Sequence, residues 1–152
     1  MKGHTAVEAG TVNWEEMAAS SHYRTAEAVQ QQLKKGNLGE AAVGLQELIQ
    51  ALGRSEKREL KSQLIRLMSH VIKWRTQPQR RSPAWAATIC NAREEIADIQ
   101  EEAPSLTHPV IRNMWERCFV AAKREAEGQM NRRNTLAGLS WKDVFEEPYE
   151  VK

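Results

Sequence analysis

The chain has 152 residues, 41% of them apolar and 28% charged, with a net charge of +2. That length suits one domain with a sizeable core, and the near-neutral balance argues against a dedicated polyanion binder. No run approaches the ~18 apolar residues of a membrane span, residues 1–12 lack the apolar stretch of a signal peptide, and alternating β-branched runs are absent.

These exclusions leave a cytoplasmic, all-α protein. Five of its nine aromatic residues are Trp, which suits anchors between packed helices. Cys90 and Cys118 are far apart and form no Cys-x-x-Cys pair; each sits beside apolar residues in a helical pattern, so both are expected as buried, reduced thiols.

Residues 1–12 read as a flexible tail. Asn13 with Glu16 three positions later forms a capping signal, and one helix is expected from there to Lys35, with Gly36 in the left-handed position that ends it. Its apolar face, Met17, Tyr23, Ala26, Val29 and Leu33, is thin. A second helix is expected over 38–52, burying Leu38, Ala42, Leu45, Leu48, Ile49 and Leu52, with Gly53 ending it. Ser55 caps a third, through either a sharp turn or a kinked, near-continuous joint.

The third helix carries the clearest pattern. Leu60, Leu64, Leu67, Met68, Val71 and Ile72 share one face at ~100° per residue. Pro78 disfavours helical geometry at Gln77 and stops it. Ser82-Pro83 opens a fourth helix, where the missing proline amide costs nothing; Trp85, Ile89, Ala92, Ile96 and Ile99 recur along it, and Ala103-Pro104 closes it. A fifth runs over 109–128 and buries Ile111, Met114, Trp115, Cys118, Phe119 and Ala122. Ser140 with Asp143 reads as a small capping box opening a turn of helix, with Val144 and Phe145 docking back. The fold expected is an all-α bundle of four to five helices with short connections and a short C-terminal helical turn. It occupies residues 13–145 as a single domain, with 146–152 as a C-terminal tail.

The block Gly53-Arg54-Ser55-Glu56-Lys57-Arg58-Glu59-Leu60, with His70, Lys73-Trp74, Gln77-Pro78, Arg80-Arg81, Trp85, Thr88-Ile89 and Pro104-Ser105-Leu106, resembles a bacterial family called domain of unknown function twenty-nine, common in cyanobacteria. The resemblance extends from about Trp14 to Phe145 and implies an all-helical domain without established biochemistry. Members usually carry an acidic cluster on the helix before the Gly-Arg-Ser turn. Here Glu47 remains, while the neighbouring places hold Val43, Leu48 and Gln50, so any metal or catalytic chemistry of such a cluster is expected to be lost.

Charge is lopsided within that block. From Arg54 to Arg81 nine Lys/Arg stand against two Glu, a net of +7, so the rest of the chain sums to −5. Lys73, Arg75, Arg80 and Arg81 flank the Pro78 elbow, with Trp74 and Trp85 as structural anchors on its two arms. Such a cationic turn with aromatics can hold phosphates or stack a base. Equally, the tryptophans can pack on each other while the arginines pair with Glu94, Glu95, Glu101 or Glu102.

His70 is the weak catalytic candidate. It needs a carboxylate or nucleophile in reach, and the spacing specifies none; a boundary histidine bonded to a neighbouring helix is the plainer reading. The four histidines form no metal-ligand spacing, no glycine-rich phosphate loop is present, and no cofactor is implied. The function expected is a small non-enzymatic helical interaction module, with a protein partner or self-association. The alternatives are a nucleic-acid-binding accessory using the elbow, and an enzyme centred on His70.

Overall fold

The computed structural model describes residues 12–152, and every regular element among them is helical. The tail expected over residues 1–12 therefore lies, Val12 excepted, outside the described residues. Six α-helices follow in order: α1 Trp14–Ser20, α2 His22–Lys34, α3 Leu38–Thr76, α4 Pro83–Glu102, α5 His108–Asn113 and α6 Trp115–Met130. A 3-10 turn at Pro78–Arg80 and a π-helical turn at Lys142–Glu146 complete the set. The all-α class is as expected; the number of helices is not, for three local reasons.

The first expected helix is two. Ser21 is extended (φ −157°, ψ 113°), and its hydroxyl accepts from the Arg24 amide, capping α2 where α1 ends. A serine side chain that satisfies an orphan amide offers the chain a stop that apolar spacing does not reveal. The second and third expected helices are one. Gly53 lies inside α3, with nothing within 4 Å of where its Cβ would stand. Glycine weakens a helix interior by about 1 kcal/mol relative to alanine, which thirty-eight other helical positions outweigh. The fifth is broken at Met114 (φ −98°, ψ 2°) without any Gly or Pro. Its far end overruns Gly128 by two residues. Asn131, in the left-handed region (φ 51°), closes it as the Arg132 amide reaches back to the Glu127 carbonyl.

The other boundaries fall where local chemistry puts them. Gly36 is left-handed (φ 81°). Ser82 accepts from the Trp85 amide with Pro83 behind it, and Ser140 and Asp143 bond each other's amides reciprocally.

The chain divides into two compact units after Ser55, so α3 contributes to both. In the first, the core is small: Trp14, Val29 and Ala41, with Val12, Met17 and Ala28 against them. Trp14 donates from its indole to Glu40 (2.7 Å) and lies so close over Gly44 that a Cβ there would meet the ring at 2.7 Å. The second unit holds a continuous core of twenty-one buried residues from Leu60 to Val144. All six residues expected on the third helix's face are fully buried, and Ile89, Ala92, Ile96 and Ile99 of α4 join them. The C-terminal segment is fastened by specific bonds. Trp115 donates to the Leu139 carbonyl, Arg93 donates to the carbonyls of Val144 and Glu147, and Tyr149 donates to that of Asp143. Trp141 stacks on Trp115 at 5.6 Å.

Of the two thiols expected in the interior, Cys118 is buried but Cys90 is exposed, its sulfur 3.5 Å from a Glu94 oxygen. Cys90 is on the outer side of α4 because Ile89 and Ala92 set the buried side.

Candidate functional site

At the elbow, Pro78 ends α3 and the following 3-10 turn presents Arg80 and Arg81 to solvent. The four cations there have different surroundings. Lys73 is buried at 7% exposure; its ammonium donates to Gln129 Oε1 (2.6 Å) and stands 5.5 Å from the centre of the Trp85 ring. Burial lowers its pKa, partly opposed by Glu125. Arg75 is exposed and pairs with Asp143 at 3.0 Å. Burial pushes the Asp143 carboxyl up, but hydrogen bonds with Ser140 and the Arg75 charge outweigh it and hold the group below its ordinary value. Arg80 bonds the side chain of Gln77 at 3.4 Å. Arg81 donates to the Trp74 carbonyl (2.8 Å), its guanidinium 5.1 Å from the centre of that residue's ring.

The carboxylate on Arg75 is thus Asp143, from the C-terminal turn, and none of the four α4 glutamates considered from sequence. Trp74, itself buried, meets Tyr149 edge-on at 5.7 Å. Neither Tyr149 nor Asp143 is signalled near the elbow by sequence, because the segment bearing them is some seventy residues away along the chain.

His70 is half-buried on α3, with Nδ1 3.0 Å from the Arg66 carbonyl. A carbonyl can only accept, so Nδ1 carries the hydrogen. Burial lowers its pKa, assisted by the charges of Lys73 and Arg66 and opposed by that carbonyl bond. Among the described residues no carboxylate is bonded to it, and no three His, Cys, Asp or Glu gather as metal ligands.

The feature that sequence reading put in the interior lies on the surface. In the first unit α3 buries Ala41, Gly44, Leu48 and Ala51. Leu38, Leu45, Ile49 and Leu52, expected in the core, are 68%, 47%, 55% and 41% exposed. At ~100° per residue these four fall within an arc of ~60°, and they extend ~21 Å along the helix at ~1.5 Å per residue. Seven of the nine exposed large apolar side chains among the described residues belong to the first unit. The reason is Trp14. Its ring needs a flat floor, and only the small-residue side of α3 offers one. The spacing of Ala41, Gly44, Leu48 and Ala51 was the available signal; hydrophobicity alone favours the wrong face.

An all-helical protein with a bare apolar helix face and a cationic elbow is the class these features define. The chain belongs to the family described as Domain of unknown function DUF29, whose model matches residues 20–147. No curated protein and no solved structure matches the chain. No helix of the described residues is long and apolar enough to cross a membrane.

Proposed function

We propose that this protein is a helical protein-binding module whose contact surface is the apolar stripe Leu38, Leu45, Ile49 and Leu52 on α3. The exposure of those four side chains on one arc carries the reading. Scattered apolar residues on a surface are ordinary; an aligned set marks an interface. The natural occupant is a helix laying its own apolar face along the stripe, supplied by a different protein or by a second copy of this chain.

Magnitudes bound the affinity. Fully burying a Leu or Ile side chain gives about 1.5–3 kcal/mol. Four that are already half covered give ~3–6 kcal/mol in total, against an association cost of ~4–15 kcal/mol. A partner must therefore also cover further surface of the first unit, where Tyr23 and Leu33 of α2 are exposed as well, and a moderate affinity is expected.

The test uses a photo-crosslinker in place of Ile49 and, as control, of Val120, exposed to a similar degree in the other unit. A discrete adduct from position 49 alone is expected, to a second copy or to one host protein. Sedimentation should show the same association lost in Leu45→Glu/Ile49→Glu, which leaves the urea midpoint unchanged because both residues are exposed. No adduct above control, with one sedimenting species in both forms, removes the reading.

A second surface is the elbow. Arg80 and Arg81 are exposed, which supports a phosphate-backbone contact. With Lys73 buried and Arg75 paired, two cations carry it. Its contribution to binding single-stranded nucleic acid should be weak, fall with salt, and be lost in Arg80→Ala/Arg81→Ala.

A further inference from the structure

We infer that the second unit carries a binding site for a phosphoryl group, in a cleft of about 310 Å³ between the end of α3 and the stretch that leaves α6. Thr76, Gln77, Met130, Arg132, Arg133 and Thr135 line it, and no carboxylate is among the lining residues. The left-handed turn at Asn131 creates it, since it reverses the chain and brings two consecutive arginines back beside Gln77.

Three observations point to an anion. Neither Arg132 nor Arg133 has a carboxylate within 4.0 Å among the described residues, whereas Arg75 does. Gln77 is buried at 5% exposure and lines the cleft. Its Oε1 accepts from Arg80, and its Nε2 donates to no described residue. That leaves an amide donor held in place beside two guanidinium groups. The balance of fixed charge then decides the sign. The C-termini of α3 and α6 both lie here and contribute about −0.5 each. The Glu127 carboxylate, which accepts from the Asn134 amide at the cleft, adds one further negative charge; Arg132, Arg133 and, bonded to Gln77, Arg80 together outweigh these by about one charge.

The donor set also separates ligand classes. Paired guanidinium groups and an amide present more donors than a planar carboxylate accepts, while the terminal oxygens of a tetrahedral phosphoryl group, three in a monoester and two in a diester, are set out of one plane and use them. The cleft is larger than phosphate alone, and Met130 offers an apolar wall for the ester's organic part. The ligand is thus a phosphate monoester or the phosphodiester of a nucleic-acid strand, one chemistry from two sources.

The experiment titrates the full chain with phenyl phosphate and, separately, with single-stranded oligodeoxythymidine, followed by calorimetry. Saturable binding of at least one probe with a Kd of about 1 mM or tighter is expected, weakening as salt rises. Arg132→Gln/Arg133→Gln should weaken it at least tenfold, while Arg58→Gln/Lys61→Gln, with the same loss of charge on α3, should leave it unchanged. Both arginines are exposed, so an unchanged urea midpoint certifies the fold. An oligonucleotide that displaces phenyl phosphate and needs the same arginines assigns the site to a strand; phenyl phosphate binding without displacement assigns it to a small ester. Saturation by neither probe, or binding that survives the arginine pair or falls equally in the control, overturns the site. The α3 stripe takes no part, so this outcome and that of the protein-binding reading are independent.

Discussion

Single residues here take their chemistry from what encloses them. His70 and Lys73 sit three positions apart on α3, and burial lowers the pKa of both. For His70 this gives a pH dependence of defined sign. Its ordinary value is 6.5 and the folded value lies below it. As pH falls through the ordinary value, the unfolded chain takes the proton first, so the unfolded state binds more protons and stability drops. Urea midpoints of the protein and of His70→Gln should be compared at about pH 7.5 and about pH 5.5. The wild type is expected to lose more stability across that interval than the variant. Equal losses would show that the folded and unfolded imidazoles titrate alike.

His70 could be singled out from sequence, but its burial could not. The bond to the Arg66 carbonyl is local to the helix, i to i−4, and any histidine on a helix can make it. What withdraws the imidazole from water is the surrounding packing, and that belongs to residues far along the chain.

At the scale of elements, α3 is the instructive case. Two of its glycines look alike in sequence and differ in consequence. Gly53 sits in open space inside a continuous helix. Gly53→Ala should therefore stabilise by about 0.5–1 kcal/mol through the lost backbone entropy of glycine. Gly44 lies under the Trp14 ring, which is itself pinned to Glu40. Gly44→Ala gains the same helix propensity, yet forces an overpacking that costs about 1–3 kcal/mol, so a net loss is expected. Thermal unfolding of the two variants reads both signs. Stabilisation by Gly44→Ala would mean that the indole is free to move, and destabilisation by Gly53→Ala that the helix turns there.

Most element boundaries set by a glycine, a proline or a capping pair were legible. Gly36, Pro78, Ser82-Pro83 and the Ser140–Asp143 box all sit at observed ends. The misread ones, Ser21, Gly53 and Met114, share a cause. Each is a place where the local preference is small, about 1 kcal/mol or less, and packing of the flanking turns decides.

On the scale of the molecule, the two units differ in how much they bury. Twenty-one buried residues form one cluster in the second unit; three form the corresponding cluster in the first. Local opening follows buried apolar content. Amide hydrogen exchange should therefore be faster over residues 14–52 than over 60–72 and 89–99, at a pH and temperature where both exchange by opening. A partner seated on Leu38, Leu45, Ile49 and Leu52 would slow the former set selectively. Uniform protection across the chain would remove the distinction between the units.

The sequence by itself determined that the chain is helical, where most helices start and stop, the buried face of α3 from Leu60 to Ile72, and the family. These are properties of spacing, capping and proline geometry, which act over three or four residues. Only the tertiary structure decided which side of α3 the first unit buries, which carboxylate meets Arg75, and that Arg132 and Arg133 line one cleft with Gln77. Two helix faces of the same segment were open to burial, one apolar and one small, and the choice between them lay with the shape of a single distant indole.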